Sequence, residues 1–293
     1  MNRTATGMDD AGHTTRVDGM SANTGHSDGT VGKALDVLEA VAVQDRPVRF
    51  SDLLSSGRWP KATLYRLLQT LTNQGMLHYD DETGTYAPGL RLVQLAHRAW
   101  NTTSIAPVAR PYIDQLSAHL GKTVHLATLD HGQVLYLDKR NAAKPIRMFS
   151  DAGKVGPAYC TGGGKAMLAF LPEPALDAAL RAQAFASYTP QTLTSATALR
   201  DELAHIRAAG LSFDREEHEP GIICIAAPIR AATGEALGAI SVTTSTLQNT
   251  LEDLSTLGPD LQDTARDISA ALHPWSAEPR KGADHGRHPD KCH

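Results

Sequence analysis

Leu64, Leu67, Leu68 and Leu71 recur at i, i+3, i+4 and i+7, so they line one side of a helix that starts at Pro60 and stops near Gly75. Proline suits a helix start, where its missing N–H costs nothing, and glycine suits the residue after a helix end. Upstream, Val31, Ala34, Leu35, Leu38, Val41 and Ala42 form one face of a three-turn helix. Ser51 reads as the N-cap of a short second helix that runs to Gly57. Downstream, 76–79 and 85–88 read as two strands joined through Asp80-Asp81-Glu82-Thr83-Gly84. Three helices followed by a hairpin make a winged helix-turn-helix.

A helical stretch from Leu90 to about Ser104 leads away from the hairpin. Pro107 and Pro111 open another helix that stops at Gly121. Strands are predicted at 123–129 and 134–139 around Asp130-His131-Gly132, and at 146–150. Helices follow at 162–171, 174–184 and 196–209. Strands at 211–214, 222–229 and 237–243 come next, the last two separated by Ala232-Thr233-Gly234-Glu235, and a final helix spans 250–272. Hairpins mixed with helices, in place of strict βαβ units, predict an α+β domain with a mixed or antiparallel sheet. Residues 1–29 and 274–293 lack apolar periodicity and read as disordered ends. The expected organisation is an arm (1–29), a winged helix-turn-helix (30–90), a linker helix (91–105), a second domain (106–273) and a tail (274–293).

The 293 residues carry 28 Lys+Arg against 32 Asp+Glu, so the chain as a whole is no electrostatic binder of nucleic acid. Any such surface must be local. Between Asp52 and Asp80 the charged residues are Arg58, Lys61 and Arg66, all positive. Cys160, Cys224 and Cys292 are too few and scattered for a disulfide framework and suit a reducing cytosol. No apolar run approaches a membrane span, and the N-terminus lacks the apolar stretch of a secretory signal, so a cytoplasmic location is expected. His285, His288, Cys292 and His293 have no scaffold to fix a metal geometry, and neither metal nor cofactor is expected.

Opposite its leucines, the helix after Pro60 presents Ala62, Arg66 and Gln69, flanked by Thr63, Tyr65 and Thr70. Lys61 and Arg66 suit phosphates or a guanine edge, and Thr63 and Tyr65 suit bases or backbone. A solvated face is the plain alternative. The neighbouring helix, the wing and the absence of acidic residues favour double-stranded DNA. Thr161-Gly162-Gly163-Gly164-Lys165-Ala166 only superficially resembles a phosphate loop. Tyr159 stands where such a loop needs its first glycine, and Ala166 where it needs Ser or Thr. The glycines either expose amides to a small carboxylate or permit close helix-to-sheet packing. Asp214 and Glu217 beside Cys224 suggest a hydrolase, with an acidic base and a thiol nucleophile. Cys224 sits in an apolar strand with no basic neighbour in sequence, which favours an inert thiol. Ser241 and Thr243 share a strand face and offer hydroxyls to a pocket. A scaffold that has lost ligand binding is the remaining alternative.

These stretches together resemble the IclR family of bacterial transcriptional regulators, over about Val31 to Leu272. Pro60 to Leu71 resembles its recognition helix, Tyr86-Ala87-Pro88-Gly89-Leu90-Arg91-Leu92 the exit from its wing, and Gly210 through Pro228 its effector-domain signature. The resemblance implies a ligand-responsive regulator of a catabolic operon. Its C-terminal domain would be GAF-like and bind a small organic or aromatic acid. It would be a homodimer or homotetramer on a pseudo-palindromic operator. The effector pocket would be lined by Gly162, Gly163, Asp214, Cys224, Ser241 and Thr243, with Met148 as an apolar wall. Two departures stand out. Gly57-Arg58 and Trp59 replace an apolar residue followed by glycine and then leucine, and Arg230 replaces an aromatic or small residue at the expected pocket edge.

Overall fold

The computed structural model describes residues 29–146 and 148–276; of the ends expected to be disordered, 1–28 and 277–293 lie outside the described residues, while 29 and 274–276 are helical. It divides into two compact units between Ala96 and His97.

The first unit contains α1 (Gly29–Ala42), β1 (Val48–Arg49), α2 (Phe50–Ser55), α3 (Lys61–Asn73), β2 (Leu77–Asp80) and β3 (Thr85–Pro88). The four leucines of α3 are buried against Val37, Leu38 and Val41 of α1, together with Leu53, Trp59, Leu77 and Tyr86. On α1 the core takes Val37, while Val31 and Leu35 remain exposed. The hairpin gains a third strand, in the order β1-β3-β2, because Val48 pairs with Tyr86. A two-residue strand has too little alternation to show in sequence. The predicted cap at Ser51 is two residues late. Arg49 precedes α2, and its N–H donates to the Asp52 carboxylate at 3.1 Å. Past Asn73, Gly75 takes a φ of 70°, the left-handed conformation that lets the chain leave α3.

The helix α4 (Leu90–Thr103) spans the division between the units. The second unit continues with α5 (Ala106–Leu120), β4 (Thr123–Asp130), β5 (Gln133–Arg140), β6 (Val155–Pro157), α6 (Gly162–Leu168), α7 (Glu173–Ala182) and α8 (Ala196–Ala209). It ends with β7 (Ser212–Arg215), β8 (Ile222–Arg230), β9 (Ala236–Ser245), α9 (Leu251–Ser255) and α10 (Gly258–Ser276). Its six strands run β6-β5-β4-β9-β8-β7, every pair antiparallel. Two expectations are corrected. The described residues of the expected strand, 146 and 148–150, are irregular, and the edge strand is β6, further along. The final helix is broken after Ser255, because Pro259 has no N–H to donate to the carbonyl four residues back.

Alternation sorts the sheet into two faces. Ile223, Ile225, Ala227 and Ile229 of β8, with Ile240 and Val242 of β9, pack with α5 and α10. Cys224, Ala226 and Ala239 lie on the other face, against α6. The small side chains on that face let α6 approach closely and frame a cavity.

Candidate functional site

On α3, Lys61, Ala62, Tyr65, Arg66, Gln69 and Thr70 are exposed, and Thr63 is half-buried. The leucine side is therefore used for docking and the polar side faces outward. Gln69 Nε2 donates to the Tyr65 hydroxyl at 2.8 Å, and the Tyr65 ring meets Phe50 edge-on, so the tyrosine is held in place. Thr70 is turned inward on its own helix, its hydroxyl donating to the Arg66 carbonyl. Arg58 is exposed, with its guanidinium 4.9 Å above the ring of Trp59. Trp59 itself fills a core position, and Gly57 makes the preceding turn at a φ of 69°. The departures in this stretch thus form one unit: a left-handed glycine, a cation and the ring beneath it.

In the second unit, a cavity of about 30 Å³ lies between the sheet and the start of α6. Six of the seven residues assigned to an effector pocket line it: Gly162, Gly163, Asp214, Cys224, Ser241 and Thr243. Met148 is buried but does not line the cavity; Phe149 and Ser150 take that wall. Arg230 lies away from the cavity, its guanidinium over Phe170 and its backbone N–H donating to Ser269. The two readings of the glycine run divide by residue. A Cβ on Gly162 would meet Cys224 Sγ at 2.8 Å, and one on Gly164 would meet the Ala158 carbonyl oxygen at 2.4 Å. A Cβ on Gly163 would meet only Ala239, at 3.9 Å. Gly162 and Gly164 serve packing, whereas Gly163, also in the cavity lining, has room for a side chain.

The lining also holds groups that the sequence reading missed: His125, Tyr136, Phe149, Ser150 and His218 among them. His125 Nδ1 is 3.3 Å from the Thr243 hydroxyl, and its Nε2 is 3.0 Å from that of Ser150. Burial, with Lys139 adding to it, pushes the imidazole down to about 4, so it is neutral at pH 7. A signal for His125 existed. Polar Thr123 and His125 alternate with Val124 and Leu126, and His125 pairs across β4–β9 with Ser241. Phe149 is fastened to the opposite wall, where its N–H donates to Glu219 at 3.0 Å and its ring meets His218.

Lys165 is fully buried and paired with Glu217, with Glu202 at 3.7 Å. It does not line the cavity. The backbone N–H of Glu217 donates to Asp214 Oδ1 at 2.7 Å. Burial nonetheless pushes the Asp214 carboxyl up to about 7, with the charge of Glu217 adding to it. Burial likewise pushes the Cys224 thiol up to about 12, so it is not the thiolate a nucleophile requires.

A domain model for the IclR helix-turn-helix matches residues 30–81, and one for the bacterial transcriptional regulator IclR C-terminal region matches residues 97–270. The chain belongs to the IclR family. This IclR-family protein is 30% identical over 243 residues to the HTH-type transcriptional regulator XynR of Escherichia coli, covering 83% of this chain and 96% of that one. Its fold matches the crystal structure of Thermotoga maritima IclR with a TM-score of 0.69 at 28% identity, covering 83% and 98% of the two chains. It also matches an IclR homologue from Microbacterium hydrocarbonoxydans complexed with 4-hydroxybenzoate, with a TM-score of 0.72 at 24% identity and coverage of 83% and 99%. The protein is a transcriptional regulator with a DNA-binding helix-turn-helix and an IclR-type C-terminal domain, not an enzyme. Among the described residues no helix is long and apolar enough to cross a membrane.

Proposed function

We propose that this IclR-family protein is a cytoplasmic regulator of a catabolic operon that releases or engages a pseudo-palindromic operator in response to a small organic or aromatic acid. One observation carries the reading: α3 docks its leucines inward and leaves Lys61, Tyr65 and Arg66 facing out, while a separate unit encloses a polar cavity. Arg58, Lys61, Thr63, Tyr65 and Arg66 contact the duplex. Gly162, Gly163, Asp214, Cys224, Ser241 and Thr243 contact the effector, joined by His125 and by Phe149 in place of Met148. A cavity of about 30 Å³ holds water but no organic acid, so binding displaces the Phe149 wall from Glu219 and His218. The ligand then favours one arrangement of the protein over another, and a coupling of about 1–3 kcal/mol suffices for a useful switch. Self-association is supported by apolar side chains left in water on the first unit, with Val31 75% and Leu90 80% exposed, beside Leu35 and Val93.

Gel shifts on the promoter region next to the protein's own gene, with and without small carboxylic acids, test the reading. Arg66→Ala is expected to weaken operator binding by about 1–3 kcal/mol if it reads a base, and to leave the acid-induced rise in melting temperature unchanged. No sequence-specific complex under any ligand refutes the proposal.

A further inference from the structure

The cavity lining is unusual for a site that takes an anion. Among the described residues that line it there is no lysine and no arginine. Its polar groups are Asp214 and Glu219, His125 and His218, and the hydroxyls of Tyr136, Ser150, Thr161, Ser241 and Thr243. Both imidazoles are held below their ordinary range, chiefly by burial, and are neutral near pH 7. Glu219 accepts from the Phe149 N–H here, and release of that bond on effector binding would leave a second acidic side chain, not a cation, in the lining.

Charged and titratable groups surround Asp214 from every packed element. From α6 comes Lys165, whose charge is taken by Glu217 and shared with Glu202. From β8 comes Cys224, directly paired with Asp214 in register, and from the turn before α6 comes Cys160. Tyr136 faces it from β5, and burial keeps this phenol, like both thiols, protonated at neutral pH. Glu217, His218 and Glu219 follow it in the chain. The outward-facing Arg215 is spent on Glu202 at 2.8 Å. Beyond the lining, Lys139 pairs with Asp151, and Lys154, 3.9 Å from the same carboxylate, lies over the Phe149 ring. An ionised acid placed beside an ionised Asp214 would therefore put two negative charges in a site whose described lining holds no lysine or arginine. Like-charged carboxylates at contact distance do not both remain ionised, and a carboxylic acid donating to a carboxylate is a strong, short hydrogen bond.

We propose that the regulator takes up one proton from solvent when it binds an acidic effector, the proton residing on the Asp214 carboxyl and donated in a hydrogen bond to the ligand's carboxylate. No covalent bond changes. The proposal rests on the acid reading of the effector given above, and it makes the regulator's sensitivity to acid depend on intracellular pH. Because burial places Asp214 near 7, only the protonated fraction is competent above that pH.

The test uses the full chain, with acetate, lactate, benzoate and 4-hydroxybenzoate as probes and calorimetry in buffers of different ionisation enthalpy. For a probe that binds, proton uptake is expected to be near zero at pH 6 and about one per site at pH 8. The Kd should be about tenfold weaker at pH 8 than at pH 6. Asp214→Asn, a neutral isostere that keeps the oxygen facing the Glu217 amide, should bind with no uptake and a Kd constant within about twofold. His218→Gln should retain the pH dependence. Binding without proton uptake, affinity that rises with pH, or uptake that persists in Asp214→Asn each overturns the proposal. The second outcome would indicate a hydroxyl donor meeting an ionised Asp214. Failure of every acid to bind at pH 6 overturns the acid reading itself, and this inference with it.

Discussion

At the scale of single residues, the glycine run before α6 shows how one motif divides into separate duties. Gly164 has the Ala158 carbonyl where a side chain would go, and backbone cannot yield cheaply. Gly163 has free space and a backbone conformation that any residue adopts. Gly164→Ala is therefore expected to destabilise the protein by about 1–3 kcal/mol through overpacking. Gly163→Ala should leave stability unchanged or raise it by up to about 1 kcal/mol, since alanine is the better helix former. It should nonetheless weaken the ligand-induced melting shift, because Gly163 lines the cavity. Urea unfolding midpoints and thermal shifts with a bound acid measure the two effects. If both variants were equally unstable, the division of roles would be wrong.

At the scale of elements, the lysine that ends the glycine run does a different task from the one its setting suggests. Lys165 of α6 meets Glu217 in the loop after β7, and both are buried. Removing one partner of such a pair leaves an uncompensated charge inside the protein. Lys165→Met is expected to cost about 3 kcal/mol in unfolding free energy, and Lys165→Met with Glu217→Leu should regain most of it. A ligand-binding lysine would behave otherwise, with stability spared and only the effector response lost. The leucine stripe of α3, the wing and most strands of the second unit were legible in sequence, since each rests on a period of 3.6 or 2 carried over several residues. What was not legible depends on partners distant in the chain. The Lys165–Glu217 pair spans 52 positions, and β1 exists only because Val48 finds Tyr86. Phe149 lies in an irregular segment with no period to read, and the family resemblance points to its buried neighbour Met148 instead. Ser241 and Thr243 share a face by alternation on β9, whereas Cys224 is assigned to the pocket by the family resemblance, and its register with Thr243 puts all three in the lining.

At the scale of the whole molecule, a chain with a net charge of −4 has to concentrate its attraction for DNA on one small surface. In the proposed complex Arg58, Lys61 and Arg66, all three exposed, would provide that surface on each copy. Each phosphate contact contributes about 0.9 to the slope of log K against log salt on B-form DNA. Two identical heads on a two-fold operator double the effect of any single substitution. If Lys61 contacts one phosphate per head, Lys61→Ala in a dimeric complex should reduce the slope by about 1.8, where a single engaged head would lose about 0.9. The loss should be the same on operator and on unrelated duplex, because a phosphate contact carries no base information. Titrations of fluorescent operator from about 50 to 300 mM salt measure the slope. A change near 0.9 would mean that only one recognition helix is engaged, and the two-headed reading of the operator would have to be abandoned.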